Sequence, residues 1–474
     1  MMHDDLNLLE IMNGTIIAPA GCGKTHLIAE TLRRNPTSKP VLVLTHTNAG
    51  VASLRSKLDR LKVSSSGYRL LTIDGWAIRL ASSFPTRSGI SADTLNLINA
   101  GRDYPLIRAA ACKLLKEQHL NDILRASYSN LIVDEYQDCS VYQHAIIYYA
   151  SQSLKTCVLG DPLQAIFNFG NDKLADWDKH VCQHFPIHTE LNMPWRWINA
   201  GCESLGRWLL DVRSKLLLSH PIDLSLAPLE VQWVQLDGNN DHAKLLEASR
   251  VKSPVDDGGV LIIGESINPD SRYRIASGVQ GAVTVEAVDL RDLINFARSF
   301  KLNSSSALSE LAAFAQTLMT NVDKDILITR IQALIKGTIK KAPNSLEYSA
   351  IQFVHYPTFS NAIEFLVEIN NQPGIRVYRS AILKACIDAM RLCHNNKNLT
   401  FVDAVMQIRE QNRLLGRALP KRAVGSTLLL KGLEADVAVV LNANTLDASN
   451  LYVAMTRGCR RLIICSNSQI LNPK

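Results

Sequence analysis

Long apolar runs, paired cysteines and a leader sequence are all missing from this sequence. No stretch of about 18 consecutive apolar residues is present, so no transmembrane helix is predicted. The first residues, MMHDDLNLLE, are acidic, which is not typical of a signal peptide. The ten cysteines are scattered without a C-x-x-C pair, which argues against a zinc site or a disulfide framework. These absences predict a cytoplasmic protein with reduced thiols and no membrane partner.

Length and composition indicate a multi-domain globular protein. The 474 residues are 47% apolar, enough to bury large cores, and the chain is too long for one ordinary domain. We therefore expect two to four domains. The formal charge of +7 is modestly basic, which permits binding to a nucleic-acid backbone without requiring it.

A glycine-rich turn follows the first apolar stretch. The segment GTIIA, residues 14–18, predicts a strand, and HLIAETLRR, residues 26–34, has the periodicity of an amphipathic helix. Strand, loop and helix in this order are the context of a phosphate-binding P-loop. The predicted ATP-binding residues of this segment are Ala18, Pro19, Ala20, Gly21, Cys22, Gly23, Lys24, Thr25 and His26.

Each P-loop residue type suits a different part of a nucleotide. Gly21 and Gly23 let backbone N–H groups turn toward phosphates. Lys24 would reach the β and γ phosphates, and Thr25 would be a Mg²⁺ ligand. A coincidental glycine-rich turn before a helix is the alternative reading. Ala18 stands where the general P-loop pattern has its first glycine.

Two further apolar strands end in polar residues. In SNLIVDEYQD, residues 129–138, Asp134 and Glu135 follow the strand directly, and ligands bind at such carboxyl ends in open α/β sheets. Asp134 suits Mg²⁺ coordination, and Glu135 suits a general base that activates water against the γ phosphate. A solvated turn is the alternative for this acid pair. In TCVLGDPLQAIF, residues 156–167, Gln164 is placed to hydrogen-bond the γ phosphate and report its loss.

Four segments in order along the chain, DEYQD, GDPLQAIF, KGLEAD and LYVAMTRG, resemble the UvrD/Rep/PcrA group of superfamily 1 DNA helicases. The resemblance implies an α/β fold of two RecA-like P-loop ATPase domains with parallel sheets, each with a mainly helical insertion. It implies the following boundaries: domain 1A at 1–76 and 128–190, a reduced insertion 1B at 77–127, domain 2A at 191–300 and 421–474, and insertion 2B at 301–420.

The resemblance also implies functional positions outside the P-loop. In LNMPWRW, residues 191–197, Arg196 would be an arginine finger on the γ phosphate, and Trp195 would stack on adenine. Glu434 takes the place that holds the ribose, and Arg457 takes that of a second finger. In relatives, ATP turnover opens and closes the cleft between the two ATPase domains and drives 3′-to-5′ stepping along DNA.

Single-stranded DNA, or a duplex with a single-stranded tail, is the partner that the resemblance implies. The DNA-binding positions carried over are Thr47, Asn48, Thr72, Phe167 and Phe169. Stacking of bases on Phe169 would tolerate any DNA sequence, and packing of this ring in a core is the alternative. The pattern departs at Asp74, where an acid beside a DNA phosphate is unfavourable, and in residues 1–24, which lack the family's adenine-reading glutamine.

Two functions from different classes are compatible with these residues. The first is an ATP-dependent DNA helicase or translocase, for example in DNA repair. The second is a DNA- or nucleotide-sensing ATPase that regulates a partner nuclease with little unwinding, similar to the helicase-like subunit of a Gabija-type anti-phage system. Short insertions and altered DNA segments give the second function weight as an alternative, and the helicase or translocase is the main expectation. A small-molecule P-loop kinase explains neither Arg196 nor the segment 431–436. Either function implies a bacterial-type cytoplasmic protein that associates with the nucleoid when active.

Overall fold

The computed structural model describes residues 6–97, 100–167, 173–415 and 420–473. The chain divides into two compact units. The first consists of Met1–Gln232, Ala443–Leu462 and Ser468–Lys474, and the second of Trp233–Asn442 and Ile463–Asn467. Within the described ranges, no helix is both long and apolar enough to cross a membrane. All ten cysteines lie in these ranges as free thiols.

A six-stranded sheet lies at the centre of the first unit. Its strands are β1 (Asn13–Ile17), β2 (Val41–Thr45), β3 (Tyr68–Thr72), β4 (Asn130–Val133), β5 (Lys155–Gly160) and β6 (Ile187–Glu190), in the spatial order β3-β2-β4-β5-β1-β6. All neighbouring pairs are parallel. The carboxyl ends of β1, β4 and β5 therefore meet at one edge, which brings the P-loop, the acid pair and the segment with Gln164 together.

Helices cover both faces of this sheet. They are α1 (Lys24–Arg34), α2 (Asn48–Arg60), α3 (Ile73–Ser83), α4 (Pro85–Ser88), α5 (Ala92–Leu95), α6 (Ala100–Lys116), α7 (Asn121–Ser127), α8 (Val141–Ser151), α9 (Cys182–His184), α10 (Trp195–Ala200) and α11 (Glu203–Leu217). Successive strand residues point to opposite faces. Leu42 and Leu44 therefore join a core with α3, α6 and α8, while Val41 and Val43 join a core with α1 and α2. The predicted insertion at 77–127 is thus helical and shares a core with the sheet.

Shorter elements complete the first unit. Short 3₁₀ turns at Tyr136–Asp138 and Pro162–Gln164 follow β4 and β5 and position the polar residues after each strand. A two-stranded antiparallel sheet is formed by β7 (Ile222–Asp223) and β14 (Ile470–Leu471), and α22 is Ala448–Met455.

A second six-stranded sheet has the order β10-β11-β9-β12-β13-β8. Its strands are β8 (Val231–Gln235), β9 (Val260–Ile263), β10 (Val283–Thr284), β11 (Arg422–Gly425), β12 (Ala435–Val440) and β13 (Gly458–Ser466). The pairs of β9 with β11 and β12, and of β10 with β11, are parallel. The helices beside these strands are α12 (Asp241–Ser249), α13 (Pro269–Gly278), α14 (Arg291–Ser299) and α21 (Thr427–Leu430).

The segment between β10 and β11 is helical, as its periodicity predicts. It contains α15 (Ala307–Gln316), α16 (Lys324–Ile335), α17 (Ser345–His355), α18 (Phe359–Asn370), α19 (Ser380–Asn395) and α20 (Phe401–Leu415). These helices share one apolar core with α14. The predicted fold class, α/β with two parallel-sheet domains of the RecA-like type and helical insertions, is confirmed. The exact domain boundaries stay a prediction.

Candidate functional site

The P-loop connects β1 to α1 through a tight backbone turn. Gly21 and Gly23 have φ of 71° and 88°, in the left-handed region that favours glycine. A Cβ at Gly21 would also overlap the ring of Trp197. The first N–H groups of a helix have no partner within that helix, and the helix dipole favours an anion there. The turn from Ala18 to Thr25 therefore has the geometry of a phosphate site.

Lys24 contacts both members of the acid pair. Its Nζ lies 3.0 Å from Asp134 Oδ1 and 2.7 Å from Glu135 Oε1. Burial alone would lower the pKa of Lys24, but the two carboxylates outweigh it and raise that pKa. Burial also raises the pKa of Asp134, against the opposing effect of Lys24. The structure thus joins two predicted motifs, 110 positions apart in the chain, into one charged cluster.

The Glu135 side chain is positioned by an unusual backbone conformation and by a hydrogen bond from a neighbouring amide. Its φ of 55° is left-handed, which is unusual for a residue with a side chain and turns the chain sharply after β4. Gln137 donates from Nε2 to Glu135 Oε2 at 2.6 Å and accepts at Oε1 from the N–H of Asp161 at 3.1 Å. A single buried amide therefore connects the end of β4 to the end of β5.

Gln164 is anchored through a buried carboxylate. Its Nε2 donates to Asp161 Oδ2 at 3.1 Å. Asp161 is fully buried and also accepts from Arg213, from Nε at 3.1 Å and from Nη2 at 2.9 Å. Arg213 donates in addition to Glu190 Oε1 at 2.6 Å. Gln164 thus lies in the 3₁₀ turn at the carboxyl end of β5, and β5 is the neighbour of the P-loop strand β1.

The helix α10 places the side chains of Trp195, Arg196 and Trp197 against the P-loop. Arg196 donates its backbone N–H to the carbonyl oxygen of Gly21 at 3.0 Å, and its Nη1 donates to the carbonyl of Thr456 at 2.6 Å. Trp195, 39% exposed, lies 3.1 Å from where a Cβ on Gly23 would stand. Both predicted residues therefore flank the phosphate turn, as a finger and a base-stacking ring would need to.

Arg457 is placed differently from an exposed finger. It is buried, and it donates from Nε to the carbonyl of Val453 at 2.8 Å and from Nη2 to Thr456 Oγ1 at 3.0 Å. Tyr452, on α22 just before Arg457, accepts the N–H of Ala20 at its hydroxyl oxygen at 3.1 Å. The segment LYVAMTRG thus contacts the P-loop through Tyr452, and a role of Arg457 on phosphate stays a prediction.

Three further residues predicted to bind the nucleotide are Cys22, His26 and Glu434. Burial raises the pKa of the Cys22 thiol to about 12, with a smaller contribution from Asp161, so this thiol stays protonated and unreactive. His26 is exposed on α1. Glu434 is exposed in the second unit, between α21 and β12.

The donor set at Thr25 and Asp134 fits Mg²⁺. A hydroxyl and a carboxylate are hard oxygen ligands, and Mg²⁺ usually takes only one or two protein ligands beside water and substrate phosphates. The Lys24 ammonium already lies against Asp134, so the position accepts a cation. No cluster of three or more histidine, cysteine or acidic residues suited to a metal is present among the described residues.

The predicted DNA contacts lie at the ends of β2, β3 and β5. Thr47 and Thr72 each cap a helix, accepting at Oγ1 from the N–H of Gly50 at 3.0 Å and of Gly75 at 2.9 Å. Asn48 is exposed at the start of α2. The rings of Phe167 and His46 pack with centroids 5.5 Å apart. Phe169 lies outside the described residues.

Asp74 takes part in an internal ion pair. Arg108 of α6 donates to both of its oxygens, from Nε at 2.7 Å and from Nη2 at 2.6 Å, and Gln143 of α8 donates to Oδ1 at 3.0 Å. The charge that looked unfavourable beside a DNA phosphate is therefore neutralised. Arg108 is thereby engaged inside the first unit, where it donates both of these bonds to Asp74.

Sequence reasoning missed Gln137, Asp161, Arg213 and Tyr452. Gln137, Asp161 and Tyr452 lie inside quoted motifs, so their positions were visible although their bonds were not. Arg213 left one signal: it lies four residues after Leu209 and three before Leu216, on the buried face of α11. A charged residue on an apolar helix face indicates a buried partner.

Among the comparisons with known proteins, the match to a family model supports the helicase resemblance for part of the chain. Residues 93–176, which include the acid pair and Gln164, match the family of the UvrD/REP helicase N-terminal domain. A similar solved structure is that of Arterivirus nonstructural protein 10 (helicase) with DNA, at 9% identity and a TM-score of 0.35. That match covers 97% of this chain and 61% of the viral chain, so this chain spans less than two thirds of its length. No curated protein matches the sequence significantly.

Proposed function

We propose that this protein is an ATP-dependent DNA helicase or translocase that moves 3′-to-5′ on single-stranded DNA. The observation that carries the proposal is the contact of Lys24 with Asp134 and Glu135 beside a left-handed glycine turn. A phosphate-binding lysine, a metal-binding acid and a general base are the three groups that γ-phosphate hydrolysis requires. The family match over 93–176 supports the DNA-helicase class.

Lys24 and Glu135 would act in sequence on ATP. The β and γ phosphates compete with the two carboxylates for the Lys24 ammonium, since an ammonium has three donors and a triphosphate carries more negative charge than either acid. When Lys24 turns to the phosphates, Glu135 loses its cation partner and becomes a better proton acceptor. Glu135 would then accept the proton of the attacking water. The hydrogen bond from Gln137 would keep the Glu135 carboxylate oriented for this step.

The remaining groups would bind charge that develops at the γ phosphate. Arg196 is fixed to Gly21 through its backbone, and its guanidinium would turn from the Thr456 carbonyl to reach a phosphate. Thr25 and Asp134 would hold Mg²⁺, which would supply positive charge beside the phosphates. Trp195 would stack on the base without reading it, which agrees with the absence of glutamine from residues 1–24.

Strand displacement tests the motor function. A labelled strand annealed to a 3′-tailed duplex should be released by the wild-type protein with ATP and Mg²⁺, and a 5′-tailed duplex should not. The Glu135→Gln variant is the matched control, because it keeps the fold and loses the base. Release from both tails, or from the 5′ tail alone, would contradict the proposed direction.

A second candidate function is a DNA- or nucleotide-sensing ATPase that regulates a partner nuclease, for example in anti-phage defence. The specific observation in its favour is Asp74, which follows the proposed DNA contact Thr72 and is committed to Arg108 and Gln143. A DNA-contacting segment that is bonded to α6 and α8 in this way is held in place. A fixed segment favours recognition of DNA over movement along it. ATP hydrolysis stimulated by DNA, without release of either tailed strand, would select this function.

A further inference from the structure

Arg213 is a buried charge to which the proposed hydrolysis assigns no role. Its side chain is 5% exposed, in the middle of α11, and its main partner Asp161 is fully buried at the end of β5. Burial would lower the pKa of the Arg213 guanidinium, but Asp161 and Glu190 outweigh it and raise that pKa. A buried ion pair is retained at a considerable desolvation cost, so its position next to the nucleotide site calls for an explanation.

Asp161 accepts four hydrogen bonds at one carboxylate. Arg213 Nε and Nη2 and the N–H of Leu163 donate to Oδ1, the last at 3.3 Å, and Gln164 Nε2 donates to Oδ2. An ionised carboxylate can only accept. Gln164 must therefore direct its NH₂ group toward Asp161, and its carbonyl oxygen to the opposite side. The charge on Asp161 therefore determines which end of the Gln164 amide faces away from Asp161 and is available to the nucleotide.

The same residue also supports the general base. The backbone N–H of Asp161 donates to Gln137 Oε1, and this fixes Gln137 with its NH₂ group toward Glu135. A Cβ at Gly160 would lie 2.7 Å from Gln137 Oε1, so the amide fills the space beside β5. Glu135, Gln137, Asp161 and Gln164 thus form one hydrogen-bonded chain, and Arg213 supplies its counter-charge.

We propose that Arg213 is a positioning residue for ATP hydrolysis, which orients Gln164 by holding Asp161 in its ionised form. The inference rests on the proposed function. It predicts that the hydrogen bond between Asp161 and Gln164 rearranges when the positive charge of Arg213 is removed. A buried carboxylate without a counter-charge takes up a proton more readily, and a protonated carboxyl donates a hydrogen bond to Gln164. The amide would then rotate and present its other end to the nucleotide.

Other titratable groups beside Asp161 do not interfere with this readout. They are Glu190 on β6, Cys22 in the P-loop and Tyr452 on α22. Burial, and to a smaller degree Asp161, raises the pKa of Cys22 to about 12 and the pKa of Tyr452 well above its usual value. Glu190 lies at a partly exposed position and bonds to Arg213 rather than to Asp161. A pH dependence of kcat that appears only on loss of Arg213 therefore reports the Asp161 carboxylate that Arg213 contacts.

The test compares Arg213→Met with Arg207→Met in steady-state ATP hydrolysis at a series of pH values at which both variants stay folded. Arg207 lies on the same helix, half exposed, in an ion pair with Glu203, so it controls for loss of an arginine from α11. For Arg213→Met we expect kcat to fall about 10- to 100-fold. We expect its KM for ATP to change by less than about threefold, because binding is not the step affected. Its kcat should rise with pH, whereas the wild type and Arg207→Met show no such rise. Arg213→Lys keeps the charge and should recover most of kcat without the pH dependence.

A purely structural role predicts a different pattern. Arg213→Met and Arg213→Lys would then lose stability and activity in parallel, without a pH-dependent kcat, and this result would overturn the inference. If Arg213→Met does not fold, the double variant Asp161→Asn with Arg213→Met carries the test, since it removes both charges. Asparagine still offers Gln164 a carbonyl oxygen, so this variant should hydrolyse ATP without the rise in kcat. A rise in kcat with pH in the double variant contradicts the inference. If the wild-type protein does not hydrolyse ATP, both the proposed function and this inference are wrong. If Arg213→Met hydrolyses ATP at the wild-type rate, only the inference is wrong.

Discussion

The ammonium of Lys24 lies 2.7 Å from a carboxylate oxygen of Glu135. In this arrangement the group proposed to bind phosphate and the group proposed to accept the water proton neutralise each other. A carboxylate that is paired with a cation is a weaker base. The contact therefore links the two steps: a triphosphate that draws Lys24 away also prepares Glu135 for its proton. Hydrolysis would begin only after the nucleotide is bound.

Replacement of Glu135 by glutamine should separate binding from hydrolysis. An amide does not accept the water proton, so kcat for ATP should fall at least about 100-fold. Affinity for a fluorescent ATP analogue should be kept, because Lys24 and the P-loop remain. Phosphate release and analogue binding measure the two effects, with the exposed Glu117→Gln as a control. Turnover near the wild-type rate would reject Glu135 as the base.

Alanine at Gly21 should damage the nucleotide site far more than alanine at Gly89. Both glycines are left-handed, with φ of 71° and 68°, so each substitution costs roughly 1–2 kcal/mol of backbone strain. Only at Gly21 would the Cβ overlap Trp197, whereas nothing lies within 4 Å at Gly89. We expect ATP binding to be lost in Gly21→Ala and kept in Gly89→Ala. Equal binding in the two variants would show that the Trp197 contact does not shape the loop.

The ion pair of Asp74 with Arg108 should be visible in stability. Loss of one partner leaves a charge that is largely buried, so Arg108→Gln should cost about 1–3 kcal/mol in urea unfolding. The double variant Asp74→Asn with Arg108→Gln removes both charges and should recover part of this loss. Losses that simply add in the double variant would mean that the two side chains do not interact.

His144 should make the folded state sensitive to acid. Burial, and then His184 and His180, lowers the pKa of His144 to about 4. The unfolded chain takes up this proton near pH 6.5, so between about pH 6.5 and 4 the unfolded state binds more protons than the folded state. Stability is therefore full above pH 6.5 and declines as pH falls toward 4, by at most about 3 kcal/mol.

Thermal unfolding between pH 4.5 and 7 measures this effect. The His144→Gln variant has no imidazole at this position and should lose much of the slope in Tm. His188→Gln, at an exposed position, serves as the control and should keep the slope. A wild-type slope in His144→Gln would assign the acid sensitivity to other groups.

The parts of the site that the sequence predicted are those that lie in strand-end motifs. Apolar runs before Asp134 and in GTIIA specify parallel strands, and parallel strands bring their carboxyl ends to one edge. Lys24 and the acid pair therefore meet wherever the strands are ordered as they are here. The same logic anticipated the two helical insertions, because helical periodicity is visible without knowledge of the partners.

The contacts that the sequence did not predict depend on the register of packed helices. Arg213 reaches Asp161 from 52 positions away, and Arg108 reaches Asp74 from 34. Neither distance in sequence nor residue type specifies such pairs, since each requires the rotation of a helix about its axis. The sequence alone presents Asp74 as an unpaired acid beside a DNA contact. Its neutralising partner Arg108 lies on another helix and is visible only in the structure.

The measurement that tests the account most directly is phosphate release from ATP with and without single-stranded DNA. The wild-type protein should hydrolyse ATP with Mg²⁺, single-stranded DNA should raise the rate, and Lys24→Ala should abolish hydrolysis in both conditions. Wild-type protein that releases no phosphate with or without DNA, or Lys24→Ala that releases it at the wild-type rate, would contradict the account.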